Sequence, residues 1–421
     1  VALSAMAQGR LARLSAQIVA STTATQPIEH VLDDGVYIVA AERTPIGGLG
    51  GSLVDFSAVE LGALVIAASL TAAGVPKDQV QECVMGNVLS AGLGQAPARQ
   101  AALAAGLSTS TCCIAVNKVC ASGMKAITLG AQSVLLKQAD LVVAGGMESM
   151  SNAPYYIPGH ARAGRGLKYG DQKMLDGVAH DGLTDPTGGQ AMGVFGELCS
   201  REHGISRREQ DDYAARSYAR AGAAHKQGAF RDELVPVAPK ARGAKQVTAD
   251  DEVQRGKPEE FARLRPAFER DGTITAASSS TISDGAAAVV LAAGSKVRLL
   301  SLRPMARIVA FADAEQEPER FTTAPAAAIQ RALDRASLRL EDIDFFEINE
   351  AFAVVVLANM KLCGLDPDKV NVMGGACSLG HPIGCSGARI VATLCTVLRE
   401  RAGQYGCAAI CNGGGGATAV I

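Results

Sequence analysis

From Gly35 onward, short apolar runs alternate with longer stretches of helical periodicity. Val36-Tyr37-Ile38-Val39-Ala40-Ala41 reads as a buried strand. Ser57 and Glu60 follow at capping-box spacing, where hydroxyl and carboxylate satisfy each other's backbone donors. The helix they open runs through Leu61, Leu64, Val65 and Ala68 and stops near Gly74-Val75-Pro76. Glu82-Cys83-Val84-Met85-Gly86 is the next strand. Such alternation predicts a layered α/β architecture.

The pattern also repeats. Ser122-Gly123-Met124-Lys125-Ala126-Ile127 parallels Ser386-Gly387-Ala388-Arg389-Ile390-Val391, and each opens a helix. Some twenty residues later each leads to an apolar strand ending in glycines, Leu141-Val142-Val143-Ala144-Gly145-Gly146 and Ala408-Ala409-Ile410-Cys411-Asn412-Gly413. Two related α/β halves are expected, residues 35–150 with 274–303, and residues 304–421. Residues 151–273 are richer in charge and glycine, with a polar run from Pro239 to Pro266, and read as an inserted loop domain.

Composition narrows the class. A net charge of -2 argues against nucleic acid or an anionic membrane as partner. No apolar run approaches the roughly 18 residues that a spanning helix needs. With 46 glycines in 421 residues and no tryptophan, the core should consist of small aliphatic side chains. The 11 cysteines have neither zinc-finger spacing nor the density of a small secreted scaffold, which fits a reducing compartment.

Residues 1–34 differ from the rest. Up to Ile28 there are two arginines and no acid among abundant Ala and Ser, as in an organelle-targeting leader. Arg10-Leu11-Ala12-Arg13-Leu14-Ser15-Ala16-Gln17-Ile18 also resembles an N-terminal peroxisomal signal, imperfect at Ile18. A surface helix is the third reading. A mitochondrial or peroxisomal matrix is therefore the expected location, with the cytosol as alternative.

Four segments carry candidate chemistry. Asn117-Lys118-Val119-Cys120-Ala121-Ser122-Gly123 puts a thiol just before a helix, where the dipole favours thiolate, although a lone cysteine is more often a small core residue. Phe345-Phe346-Glu347-Ile348-Asn349-Glu350-Ala351-Phe352 is a strand ending in an amide and an acid, which alone could be a helix cap. Gly374-Gly375-Ala376-Cys377-Ser378-Leu379-Gly380-His381-Pro382-Ile383-Gly384 presents a histidine whose following proline keeps its backbone out of the helical region. Cys411-Asn412-Gly413-Gly414-Gly415-Gly416 sets a second thiol beside backbone that a ligand can approach closely. Its Gly-x-Gly-x-x-Ala match is not a dinucleotide site, because no second βα unit follows. Walker-type and His-Glu-x-x-His motifs are absent.

In this order and spacing, the four segments resemble the thiolase family over residues 35–421. Asp181-Gly182-Leu183-Thr184-Asp185, Ala310-Phe311-Ala312-Asp313-Ala314 and the Cys-Asn-Gly-Gly-Gly-Gly form of the last motif resemble its short-chain acetyl-CoA acetyltransferase branch. The resemblance implies a duplicated α/β fold, with two five-stranded sheets around shared central helices. It implies reversible condensation of two acetyl-CoA to acetoacetyl-CoA and CoA through an acetyl-cysteine, with no covalent cofactor. Cys120 would be the nucleophile, His381 its base and Cys411 the general acid/base. Asn349, through a water, and His381 would hold the thioester oxygen, and the N–H groups of Cys120 and Gly413 the acetyl oxygen. Glu350 would position its neighbours rather than carry a proton.

For CoA, the matching positions are Met192, Ser280 and Tyr218, while Arg242 and Lys245 could meet the nucleotide phosphates or simply be solvated. Ala191 stands where relatives frequently have a histidine, a departure from the family pattern at the expected pantetheine contacts. Mitochondrial-type members bind potassium, and the matching positions are Tyr218, Ala276, Ala277, Ser279 and Cys377. Family precedent also implies a homotetramer, a dimer of dimers. Alternatives are a broad-range degradative 3-ketoacyl-CoA thiolase and, more remotely, a non-catalytic thiolase-like subunit.

Overall fold

The computed structural model describes residues 34–157, 171, 173–241 and 243–421. The targeting readings of the N-terminal segment and the CoA contact assigned to Arg242 lie outside the described residues. The strands are β1 (Val36–Arg43), β2 (Gly47–Gly48), β3 (Glu82–Gly86), β4 (Cys112–Val116), β5 (Leu141–Ser149), β6 (Tyr155–Tyr156) and β7 (Leu175–Asp176). They continue with β8 (Ser283–Ala293), β9 (Ala306–Ile308), β10 (Phe311–Glu315), β11 (Phe345–Ile348), β12 (Gly406–Asn412) and β13 (Gly416–Val420). The first sheet has the order β4-β3-β5-β8-β1-β9 with β2 on β8, and the second has the order β10-β13-β12-β11. Strands β3, β4 and β5 run parallel, as do β11 and β12.

The implied pair of five-stranded sheets is here one of seven strands and one of four. One extended stretch serves both sheets. Ile308 pairs with Val36 in the first, and the next residue, Val309, donates its N–H to Ile421 O at 2.7 Å beside the second.

The main helices are α1 (Ala58–Ala73), α2 (Pro97–Ala104), α3 (Ser122–Leu135), α4 (Met192–His203) and α5 (Arg207–Gln227). After them come α6 (Gly294–Leu299), α7 (Ala324–Ala336), α8 (Ala353–Cys363), α9 (Ala376–Leu379) and α10 (Ile383–Glu400). The capping box at α1 forms, Ser57 Oγ accepting from Glu60 N at 3.3 Å and Ser57 N donating to Glu60 Oε2 at 2.9 Å. Gly74 ends that helix at φ +66°, a left-handed conformation that glycine adopts without a Cβ penalty.

Helices α1 and α2 cover the outer face of the first sheet, and α7 that of the second. Helices α3 and α10 touch each other and both sheets, forming the central layer. Met124, Ile127, Ile390 and Val391 from these helices join Val84, Val289, Ala408 and Ile410 from the strands in one buried cluster. The sequence echo explains how the helices come so close. A Cβ on Gly123 would lie 2.8 Å from Ala388 N, and one on Gly387 would collide with Met124 N. Each repeat thus supplies the glycine that admits the other's backbone.

Between β5 and β8, α4 and α5 pack onto the C-terminal half. Phe195, Cys199 and Ile274 join Phe352, Val355 and Cys411, while Ala221, Ala224 and Phe230 join Met373, Leu379 and Val397. The polar run from Pro239 to Pro266 contains a fully buried carboxylate, Asp250, bound to Arg43 at 2.7 Å. None of the described helices is long and apolar enough to cross a membrane.

Candidate active site

Cys120 follows β4, Asn349 follows β11, Cys411 lies near the end of β12, and His381 stands in the turn before α10. The site thus lies where strands end and the central helices begin, the usual place for ligands in α/β folds.

The Cys120 turn is tightly held. Val119 has φ +46°, unusual for a β-branched residue. Asn117 Oδ1 accepts from Val119 N at 3.0 Å, and Ser122 Oγ accepts from Lys118 N at 2.8 Å while donating to Val119 O at 2.6 Å. The thiol lies against the N–H groups of Gly413 and Cys120 itself. Burial nevertheless dominates and pushes the thiol up to about 11, with the Glu148 carboxylate adding to the rise. The N–H groups of Gly413 and Cys120 lower it, but by less than desolvation raises it.

His381 is buried and neutral. Burial, assisted by the positive charge of Arg389, holds it down to about 3. Its Nδ1 lies 2.6 Å from Ser386 Oγ, whose own proton goes to Pro382 O at 3.0 Å. Nδ1 must then be the protonated nitrogen, leaving the Nε2 lone pair toward the site, 3.5 Å from Asn349 Nδ2. Asn349 is fully buried, and its Oδ1 has no partner among the described residues. Cys411 is also fully buried; its thiol is pushed well up by burial and then by the nearby Cys120.

Glu350 is an acceptor hub. Its Oε1 receives Tyr213 OH at 2.7 Å and Asn371 Nδ2 at 3.1 Å, and its Oε2 receives Ser217 OH at 2.8 Å and Cys377 N at 3.0 Å. Two contributors were not apparent from sequence. Ser386, which orients His381, stood out there only as part of the repeat. Glu148 joins the Asn87–Leu89 loop to the start of α10, accepting from Asn87 Nδ2 at 2.9 Å, Val88 N at 3.0 Å, Leu89 N at 3.1 Å and Gly384 N at 2.9 Å.

Of the expected CoA positions, Met192 borders the site, its Cε 3.7 Å from where a Gly413 Cβ would stand. Ser280 Oγ donates to Ala351 O at 2.9 Å. Lys245 is exposed in the polar run. In the set matched to potassium, Tyr218 packs on Ala277 and donates to Glu252 Oε1 at 2.8 Å. Ser279 Oγ donates to Thr275 O at 2.7 Å, Cys377 Sγ lies 3.7 Å from Glu350 O, and Ala276 is exposed. Among the described residues, no cluster of three His, Cys, Asp or Glu side chains could hold a metal ion.

Residues 36–295 match the model of the thiolase N-terminal domain, and residues 302–421 that of the thiolase C-terminal domain. The chain belongs to the thiolase family. It is 52% identical over 389 residues to a cytosolic acetyl-CoA acetyltransferase of Gibberella zeae, covering 92% of this chain and 97% of that protein. It is also 52% identical over 397 residues to acetyl-CoA acetyltransferase 2 of Arabidopsis thaliana, covering 93% and 98%. A crystal structure of the Acat5 thiolase from Ascaris suum in complex with coenzyme A superposes with a TM-score of 0.86 at 45% identity, covering 92% of this chain and 98% of that one.

Proposed function

We propose that this protein is an acetyl-CoA C-acetyltransferase, which joins two acetyl-CoA into acetoacetyl-CoA and CoA and also runs the reverse cleavage. The observation that carries the reading is the pair of thiols, Cys120 and Cys411, close enough to repel as thiolates, together with a buried His381 that carries its proton on Nδ1 and turns Nε2 toward Asn349. Relatives about half identical over nearly their whole length carry this activity in their names.

In the first step Cys120 attacks the acetyl thioester while His381 Nε2 takes its proton. With the thiol near 11 and the imidazole near 3, that proton moves during attack rather than before it. The CoA thiolate leaves with the proton of Cys411, which becomes a thiolate, while the acetyl group stays on Cys120 and the Cys120 proton stays on His381 Nε2. Cys411 then removes an α-proton from a second acetyl-CoA. The resulting carbanion attacks the acetyl-cysteine carbonyl, and acetoacetyl-CoA departs as the Cys120 thiolate is expelled and takes its proton back from His381 Nε2. The N–H groups of Cys120 and Gly413, already directed at the sulfur, stabilise the acetyl oxygen. Asn349 Oδ1, without a partner among the described residues, accepts from a water that, with the Nε2–H gained by His381, holds the enolate oxygen.

Met192, Ser280 and Tyr218 would line the pantetheine arm, and Arg242 and Lys245 would meet the phosphates. Tyr218, Ala276, Ala277, Ser279 and Cys377 would hold potassium through oxygen atoms; the Glu252 carboxylate beside Tyr218 favours a cation there. A homotetramer acting in an organelle matrix completes the proposal. Light scattering of the purified protein tests the first point, and imaging of the full chain the second.

Steady-state cleavage of acetoacetyl-CoA against longer 3-ketoacyl-CoA substrates, with and without potassium, tests the function. Turnover confined to the four-carbon substrate is expected. Equal or faster rates on long chains would place the protein in the degradative branch.

A further inference from the structure

Strands β3 and β4 pair in parallel, with Cys83 directly beside Cys113. Neighbouring strands lie about 4.8 Å apart, within the roughly 4.4–6.8 Å Cα separation that a disulfide spans. Paired positions project to the same face of the sheet, so the two thiols need no strand movement to meet. Cys83 is buried, whereas Cys113 is partly open to solvent.

Arg99, from α2, stands over this pair. Its Nη1 lies 3.9 Å from Cys113 Sγ and 2.8 Å from Thr111 O, and its Nη2 lies 2.7 Å from Thr109 O. The carbonyl contacts hold the guanidinium beside the sulfur. A hydrogen bond from the Cys83 thiol, and then Arg99, overcome desolvation and bring Cys113 down to about 7, while Cys83 is pushed well up. Arg99 and Cys83 are the groups that set this value. The adjacent Cys112 is exposed and, as the preceding residue of the strand, points to the other face. Neither Cys83 nor Cys113 takes part in the acyl-transfer steps.

We infer that Cys113 and Cys83 form a reversible thiol–disulfide pair, with Cys113 the reacting thiol and hydroperoxides the oxidant class. Cys113 thiolate attacks the distal peroxide oxygen, giving a sulfenic acid and releasing hydroxide or alkoxide, which takes up a proton. The Cys83 thiol then attacks the sulfenic sulfur, forming the S–S bond and expelling water. The pair loses two electrons and two protons, the peroxide is reduced, and a dithiol reverses the change.

The test uses the full chain. Hydrogen peroxide treatment is followed by alkylation of free thiols, trypsin digestion and mass spectrometry. The expected product joins the Asp78–Arg99 peptide to the Gln100–Lys118 peptide, with Cys120 in the separate Val119–Lys125 fragment, and dithiothreitol dissolves the link. Cys112→Ser keeps the link and Cys113→Ser loses it. Cys83→Ala instead leaves a sulfenic acid on Cys113 that dimedone traps. The inference is overturned if the wild-type chain gives no joined peptide while Cys120 is oxidised, or if the link survives Cys113→Ser.

Discussion

Ser386 Oγ accepts from His381 Nδ1 at 2.6 Å and passes its own proton to Pro382 O at 3.0 Å. The relationship fixes one imidazole tautomer, and His381 is thereby ready to take a proton through Nε2 without first losing one. Ser386→Ala removes the acceptor but leaves the ring buried. A hydrogen bond of about 1–1.5 kcal/mol corresponds to roughly a tenfold loss in kcat, with the melting temperature little changed. An unaltered kcat would show that the tautomer is held in some other way.

Gly387→Ala tests the central helix contact. Its Cβ would meet the backbone of Met124, which cannot move aside as a flexible side chain would. Overpacking of this kind costs about 1–3 kcal/mol, and α3, which begins two residues after Cys120, would shift with it. Thermal unfolding should show the loss, accompanied by reduced activity. A variant as stable as the wild type would contradict the packing described.

The buried Arg43 is held by Glu233 at 2.6 Å and by Asp250 at 2.7 Å, with His225 Nε2 2.8 Å from Asp250. Burial alone would raise Asp250, but Arg43 and His225 hold it well below the usual carboxylate range. A depressed folded-state value stabilises the protein above the unfolded value of about 3.9, and that stabilisation fades as pH falls through the folded value. Asp250→Asn leaves Arg43 partly uncompensated and should cost about 3–5 kcal/mol at neutral pH. Chemical denaturation of the variant at pH 7 and pH 3 should show the deficit shrinking at the lower pH. A deficit that grows on acidification would mean that folding does not depress the Asp250 carboxyl.

Glu148→Gln exchanges a carboxylate that accepts four N–H groups for an amide with one acceptor oxygen. At least one buried donor is then unsatisfied, a loss of about 1–3 kcal/mol. Hydrogen exchange should quicken at Val88, Leu89 and Gly384 before it does in β5. Unchanged protection there would show that Glu148 does not hold the loop.

Much of this architecture was legible in the chain because it rests on local patterns. The capping box at Ser57, the strand at Glu82–Gly86 and the paired Ser-Gly helix starts at 122 and 386 each depend on neighbouring residues. Long-range relationships were not legible. Asp250 sits in a polar run and is buried only because Arg43, 207 positions earlier, needs a counter-charge. The strand-crossing of Ile308 and Val309 depends on the C-terminal Ile421, so the sheets could not be counted locally. At the site, the residue types and their order pointed to Cys120, Asn349, His381 and Cys411, but the protonation of Cys120 depends on burial, which local sequence does not reveal. The contacts of Ser386 with His381 and of Glu148 with the Asn87–Leu89 loop were not legible, because a helix serine and a strand-end glutamate have no local pattern that marks such partners.

The central claim is that Cys120 carries the acetyl group and Cys411 moves the α-proton. Mass spectrometry after incubation with acetyl-CoA, on Cys120→Ala and Cys411→Ala separately, tests it most directly. The account predicts an acetylated Val119–Lys125 peptide in Cys411→Ala, which no longer makes acetoacetyl-CoA, and no acetylation in Cys120→Ala. Acetyl-enzyme persisting without Cys120, or condensation at the wild-type rate without Cys411, would contradict it.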